Sequence, residues 1–258
     1  MELSHTELGQ GEDILLIHGI ISDKSFFEPL MEELKDHYHL IAYDRRGYGQ
    51  NRFDPELDYS LTAQAEDAAK VLKACGGKAP AWIVGNSAGG LIALALYLAH
   101  PELVRGLLIL EPSLTFDEAS DRAVKEWNRE LNGYVLSGDI KKAIPAFARV
   151  IAQPAEEKAS SSMKELKRAI GNLPAFMLGE LNEVQRYRPA KEEFADLKVP
   201  IRVLVTEGGR DTLFGTTSLS GAAVMGWEVA FLEGYHNALK DRPKASADAL
   251  RKLIEGMK

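Results

Sequence analysis

Residues 85–89 read GNSAG, a serine held between two glycines at the spacing G-x-S-x-G. A serine hydroxyl is a poor nucleophile until a base within hydrogen-bond reach takes its proton. That base, an imidazole, in turn needs a carboxylate to fix its tautomer and steady its charged form. The chain supplies candidates for both partners of Ser87. His236 stands in FLEGYHN, directly after the last strand-like run. Asp211 stands in GGRD after the run IRVLVTE, and Glu111 stands in LILEPS after VRGLLIL. The order Ser87, Asp211, His236 is nucleophile, acid, base, so Asp211 is the first choice. Glu111 is the alternative acid, because it too follows a strand immediately. The chemistry of such a set is acyl transfer, and its oxyanion needs two backbone donors. The amides of Ala88, just after the serine, and of Ile20, in HGII (18–21), are the candidates.

A nucleophile of this kind must sit on a sharp turn between a strand and a helix. AWIV before the motif has strand character and LIALALYLAH after it has helix character. At such a turn, side chains two residues either side of the serine collide, which explains both glycines. The helix beyond aims its free amides at developing negative charge. The other histidines fit less well. His37 and His39 flank a strand start without a third metal ligand nearby in sequence, and are expected to be solvated. His100 precedes a proline at a helix end and is expected on the last helix carbonyls.

The elements repeat one pattern. DILLIH (13–18), HLIAYD (39–44), AWIVG (81–85), VRGLLIL (104–110), IRVLVTE (201–207) and WEVAFLE (227–233) are short apolar runs separated by amphipathic stretches. Continuous apolar strands are buried on both faces, which predicts an α/β fold, a mainly parallel doubly wound sheet with right-handed crossovers. Between about Leu114 and Ala195 the strands cease and the pattern is helical throughout. Ser162–Glu165 has capping-box form, and Asn132-Gly133 and Ser137-Gly138 offer turns. The expected organisation is a core of 1–113 and 196–258, with 114–195 as an inserted helical cap.

Composition excludes several function classes. A net charge of −7 disfavours nucleic acid and anionic membranes as partners. The single cysteine, Cys75, forbids an intramolecular disulfide and reads as a small, partly buried hydrophobe. The opening MELSHTELGQGED lacks a basic and an apolar signal region, and LIALALYLA is shorter than a membrane span. A cytoplasmic protein acting on a small molecule is the expectation.

HGII, DRRGYGQN (44–51), VGNSAGG, HPELVRGLLIL, GGRD and EGYHN occur in the order and context of the α/β-hydrolase superfamily, which the chain resembles over nearly all its length except the cap. The resemblance implies a cap inserted after the sixth family strand and a Ser-His-Asp triad that uses neither metal nor organic cofactor. A serine at the elbow sets the chain apart from the branches with a carboxylate nucleophile. A short N-terminus implies reduced antiparallel edge strands. The implied activity is esterase-like: hydrolysis of a carboxylic ester of a small to medium apolar substrate. Carbon–carbon bond hydrolysis and lactone opening use the same parts, and a hydrolase-fold receptor with slow turnover is the alternative of another class. For the substrate pocket we expect Phe26, Phe27, Trp127 and Phe147, with Phe176 and Met177 as further cap candidates. Arg186 or Arg188 could bind a substrate carboxylate, although a solvated helix end is the simpler reading of either.

Overall fold

The computed structural model describes residues 3–75, 80–139, 142–151 and 163–258. Seven strands form one sheet in the order β1-β3-β2-β4-β5-β6-β7. They are β1 (His5–Leu8), β2 (Glu12–Ile17), β3 (Tyr38–Tyr43), β4 (Ala81–Asn86), β5 (Val104–Leu110), β6 (Ile201–Thr206) and β7 (Glu228–Leu232). Only β1 runs antiparallel, against β3; every other pair is parallel. The six apolar runs of the sequence become β2 to β7. The one strand without an apolar run, HTEL, is exposed along most of its length and is held by pairing with β3 alone. It is a short, polar edge strand, the usual guard against edge-to-edge association.

The period of two along the strands builds two cores. Ile83, Leu107, Ile109 and Val203 face helices α2 (Leu61–Ala74) and α3 (Ala88–Ala99). Trp82, Val84, Leu108 and Leu110 face the other way, toward α1 (Glu28–Leu34) and α10 (Pro243–Met257). Helix α3 is buried from Ala88 to Tyr97, so its sequence is apolar all round rather than striped.

Between β5 and β6 the described chain is helical. It comprises α4 (Glu118–Leu136), α5 (Ala143–Ile151), α6 (Met163–Pro174), a π-helical stretch (Ala175–Glu180) and α7 (Leu181–Arg186). Asp117 caps α4 by accepting from the Ser120 amide at 2.9 Å. The expected turn at Asn132-Gly133 does not occur, because α4 runs on through it. A Cβ on Gly133 would meet nothing within 4 Å, and the left-handed residue that ends the helix is Gly138, at φ 74°. Ser162 of the expected capping box lies outside the described residues. A third cluster, with Leu131, Leu173, Phe176 and Leu181 against Tyr48 and Tyr59, seats these helices on the loop after β3. Helix α8 (Leu213–Met225) follows β6, and α9 (Ala238–Asp241) follows β7. Among the described residues no helix is long and apolar enough to cross a membrane.

Candidate active site

Ser87 caps α3 with φ 55° and ψ −123°, a conformation that costs energy in any residue bearing a Cβ. Its neighbours explain the flanking glycines. A Cβ on Gly85 would fall 2.5 Å from the Gly89 carbonyl oxygen, and one on Gly89 would fall 2.0 Å from that of Ile17. The turn therefore closes only with glycine at both places. The Ser87 amide donates to the Leu110 carbonyl at 2.7 Å, tying the turn to the neighbouring β5. As the first residue of α3, Ala88 has an amide with no carbonyl to bond within the helix. Among the described residues four non-glycine positions have positive φ: Ile21, Ser87, Glu111 and Ser113. All lie in the loops that meet at this end of the sheet.

The carboxylate on the imidazole is Glu111. Its Oε2 lies 2.5 Å from Nδ1 of His236, and its Oε1 accepts from the Thr206 amide at 2.9 Å and from the Thr206 hydroxyl at 2.6 Å. Burial alone would push this carboxyl up. The His236 hydrogen bond and charge, with the two Thr206 donors, outweigh burial and hold it below the ordinary glutamate value. A carboxylate against Nδ1 fixes the proton there and leaves Nε2, which has no partner among the described residues, free to take another. Asp211, the first choice from sequence, is exposed and makes no hydrogen bond to His236 among the described residues. The glycine two residues before it serves Glu111. A Cβ on Gly209 would lie 2.4 Å from Glu111 Oε1, so glycine lets the loop pass over that carboxylate. Asp211 then falls just before Thr212, the cap of α8.

The loop after β2 lies on the elbow: a Cβ on Gly19 would be 3.1 Å from that of Ser87. Its orientation is set by two residues that sequence reasoning passed over. His18 is fully buried, and its Nε2 accepts from the Arg45 amide at 3.1 Å. The proton is therefore on Nδ1, which donates to the Gly19 carbonyl at 2.8 Å. Burial, then the Arg45 guanidinium, holds the His18 pKa well below its ordinary value, against the opposing effect of that carbonyl. Arg45 also donates to the Gly19 carbonyl, at 2.9 Å. In a trans peptide the N–H points opposite the C=O, so the Ile20 amide points away from both donors. The guanidinium is fixed by Glu180, at the end of the π-helical stretch, which also accepts from Tyr48 and Gln64. A charge pair buried this deeply endures only when its lone pairs are filled. Arg45 and Glu180 are 135 residues apart in sequence, and no local signal joins them.

A cavity opens from Ser87 between the sheet end and the helices, with about 700 Å³ of unfilled space that includes its open mouth. Ile20, Ala88, Trp127, Phe176 and Arg188 line it, as does Phe214, whose ring centre is 4.9 Å from that of His236. Phe147 packs behind Trp127 at 6.0 Å. Phe26 and Phe27 are not on the wall. The 3-10 turn Lys24–Phe27 directs both rings under the sheet, into the core with Leu30 and Leu34. Met177 is likewise buried core, and Arg186 is exposed and paired with Glu183.

The remaining histidines make ordinary contacts. His39 bonds Asp13 at 2.7 Å, His37 meets Arg251, and His100 reaches Glu66 rather than a helix carbonyl. Among the described residues one group with metal-capable atoms in reach of one another is His5, Glu7 and Cys75, at the β1 edge.

Comparison with known proteins agrees with this architecture. A family model described as alpha/beta hydrolase fold matches residues 14–216. The chain is 30% identical over 188 residues to the pimeloyl-acyl-carrier-protein methyl ester esterase of Aeromonas hydrophila, a match covering 70% of this chain and 69% of that one. A thermophilic esterase from Thermogutta terrifontis superposes with a TM-score of 0.79 at 18% identity, over 99% of this chain and 93% of the other. Est816, described as an N-acyl homoserine lactone degrading enzyme, superposes with a TM-score of 0.77 at 23% identity, over 97% and 96%.

Proposed function

Since this chain belongs to the α/β hydrolase fold family, we propose that it is a serine hydrolase of carboxylic esters, with Ser87 as nucleophile, His236 as base and Glu111 as its carboxylate. The single observation that carries this reading is the 2.5 Å contact of Glu111 with His236 Nδ1, at the same sheet end as the strained Ser87. The ester assignment draws on the esterase relative from Aeromonas hydrophila.

His236 Nε2 takes the Ser87 proton as Oγ attacks the substrate carbonyl, and the tetrahedral oxyanion rests on the Ile20 and Ala88 amides. The imidazolium then gives its proton to the departing alcohol. Water attacks the acyl-enzyme with the same base, and the carboxylic acid leaves Ser87 restored. Glu111 keeps its charge throughout and stabilises the imidazolium. The helices of 114–195 act as a cap over the core of 1–113 and 196–258, and supply most of a predominantly apolar pocket.

Steady-state hydrolysis of p-nitrophenyl acetate, butyrate and hexanoate tests the reading. Multiple turnover that disappears in Ser87→Ala is the expected result. Turnover that survives the substitution would overturn it, and a single turnover followed by retained ligand would favour the receptor alternative.

A further inference from the structure

Ten buried side-chain polar atoms lack a hydrogen-bond partner among the described residues, and four of them belong to residues that line the Ser87 cavity. They are Nε1 of Trp127, Nδ2 of Asn128, the hydroxyl of Tyr187 and Nη2 of Arg188. All four can donate, and all but the tyrosine hydroxyl can do nothing else. Buried donors are nearly always satisfied, so four on residues around one cavity are open to an acceptor-rich group that enters it.

The Arg188 guanidinium is held ready for that role. Its Nε donates to Asp121 at 2.8 Å and its Nη1 to the Tyr187 carbonyl at 2.9 Å, which leaves Nη2 unused in a fixed fork. Asp121 also pairs with Lys125 at 2.5 Å, so two cations share one carboxylate and the local balance stays positive. Asn128 is 1% exposed, so its unpartnered amide is costly unless an acceptor in the cavity meets it. One of the four residues, Trp127, stands close to His236, because it packs on Phe214 at 5.4 Å and Phe214 packs on His236. Leu91, Leu114, Val124 and Leu181 make the rest of the wall apolar.

We propose that the cavity binds esters carrying a free carboxylate, separated from the ester carbonyl by a short apolar chain, with Arg188 and Asn128 as its principal donors. This rests on the hydrolase reading above, of which it names the substrate class. The apolar wall takes the methylenes, and the donors take the carboxylate, for which a guanidinium fork is the best-matched partner.

Two matched pairs of probes test it: monoethyl adipate against ethyl hexanoate, and 5-acetoxypentanoate against pentyl acetate. In at least one pair the anionic ester is expected to have a kcat/KM at least about tenfold higher, as one charge-assisted hydrogen bond supplies. Arg188→Met removes that preference and Asn128→Leu weakens it. The ratio within a pair is unaffected by the folded fraction of a variant. Calorimetric binding of the same probes to Ser87→Ala separates this proposal from the hydrolase reading. Selective binding of an anionic probe that Arg188→Met abolishes, without turnover in the unmodified protein, would uphold the carboxylate site and sink the hydrolase. Equal turnover and equal binding in both pairs would overturn the carboxylate site and leave the hydrolase standing.

Discussion

Glu111 and Glu180 are both fully shielded from solvent, yet they face opposite kinds of partner. Glu111 follows β5 and meets the imidazole of His236, which can gain and lose a proton. Glu180 ends the π-helical stretch and meets the guanidinium of Arg45, which cannot. The first pair can follow the charge changes of a reaction, while the second is a permanent tie between the helices and the loop that presents Ile20. On the proposed mechanism, the same side chain at the same burial serves turnover in one place and architecture in the other.

The contrast predicts opposite losses. Glu111→Gln should cut kcat by about 10³–10⁴-fold, since the amide no longer favours the productive tautomer, while urea denaturation shifts little. Glu180→Gln should leave kcat within about tenfold but cost about 3–5 kcal/mol of stability in the same denaturation, because Arg45 keeps a buried charge without its counter-ion. If the two variants exchanged phenotypes, the division of labour would be wrong.

The next effect sharpens the contrast with a histidine that must stay neutral. The His18 pKa is lowered in the folded state, so below pH about 6.5 the unfolded chain binds the extra proton and the folded one does not. Stability should therefore fall as pH drops from about 6.5, by at most about 1.4 kcal/mol per pH unit from this group. Urea midpoints measured between pH 7 and 5.5 should show the slope, and His18→Asn should flatten it. The smallest effect lies outside both carboxylate networks. Gly133→Ala, inside α4 with open space around it, should raise stability by about 0.5–1 kcal/mol with unchanged kcat.

Much of the candidate site is legible in the sequence. Ser87 is legible because the elbow is a local constraint, written in five residues and in the strand and helix on either side, and His236 because it directly follows the last apolar run. The strands were legible because burial on both faces leaves continuous apolar runs. Which carboxylate meets His236 is not legible, since Glu111 and Asp211 both follow strands and only three-dimensional proximity separates them. Strand β5 lies between β4 and β6, so Glu111 emerges beside both Ser87 and Thr206. Phe26 and Phe27 misled for the opposite reason: nearness in sequence to Ile20 hid the turn that sends them into the core. The Arg45–Glu180 pair and the four donors of the cavity depend on how the helices pack, which no short stretch encodes.

The most direct test of Ser87 activation through Glu111 is the rate of fluorophosphonate labelling, with the modified peptide located by mass spectrometry. The protein is compared with Ser87→Ala, Glu111→Gln and Asp211→Asn. The expected result is an adduct on Ser87, absent in Ser87→Ala, slowed at least about a hundredfold by Glu111→Gln and within about twofold of normal in Asp211→Asn. Labelling slowed by Asp211→Asn and indifferent to Glu111→Gln would contradict the account.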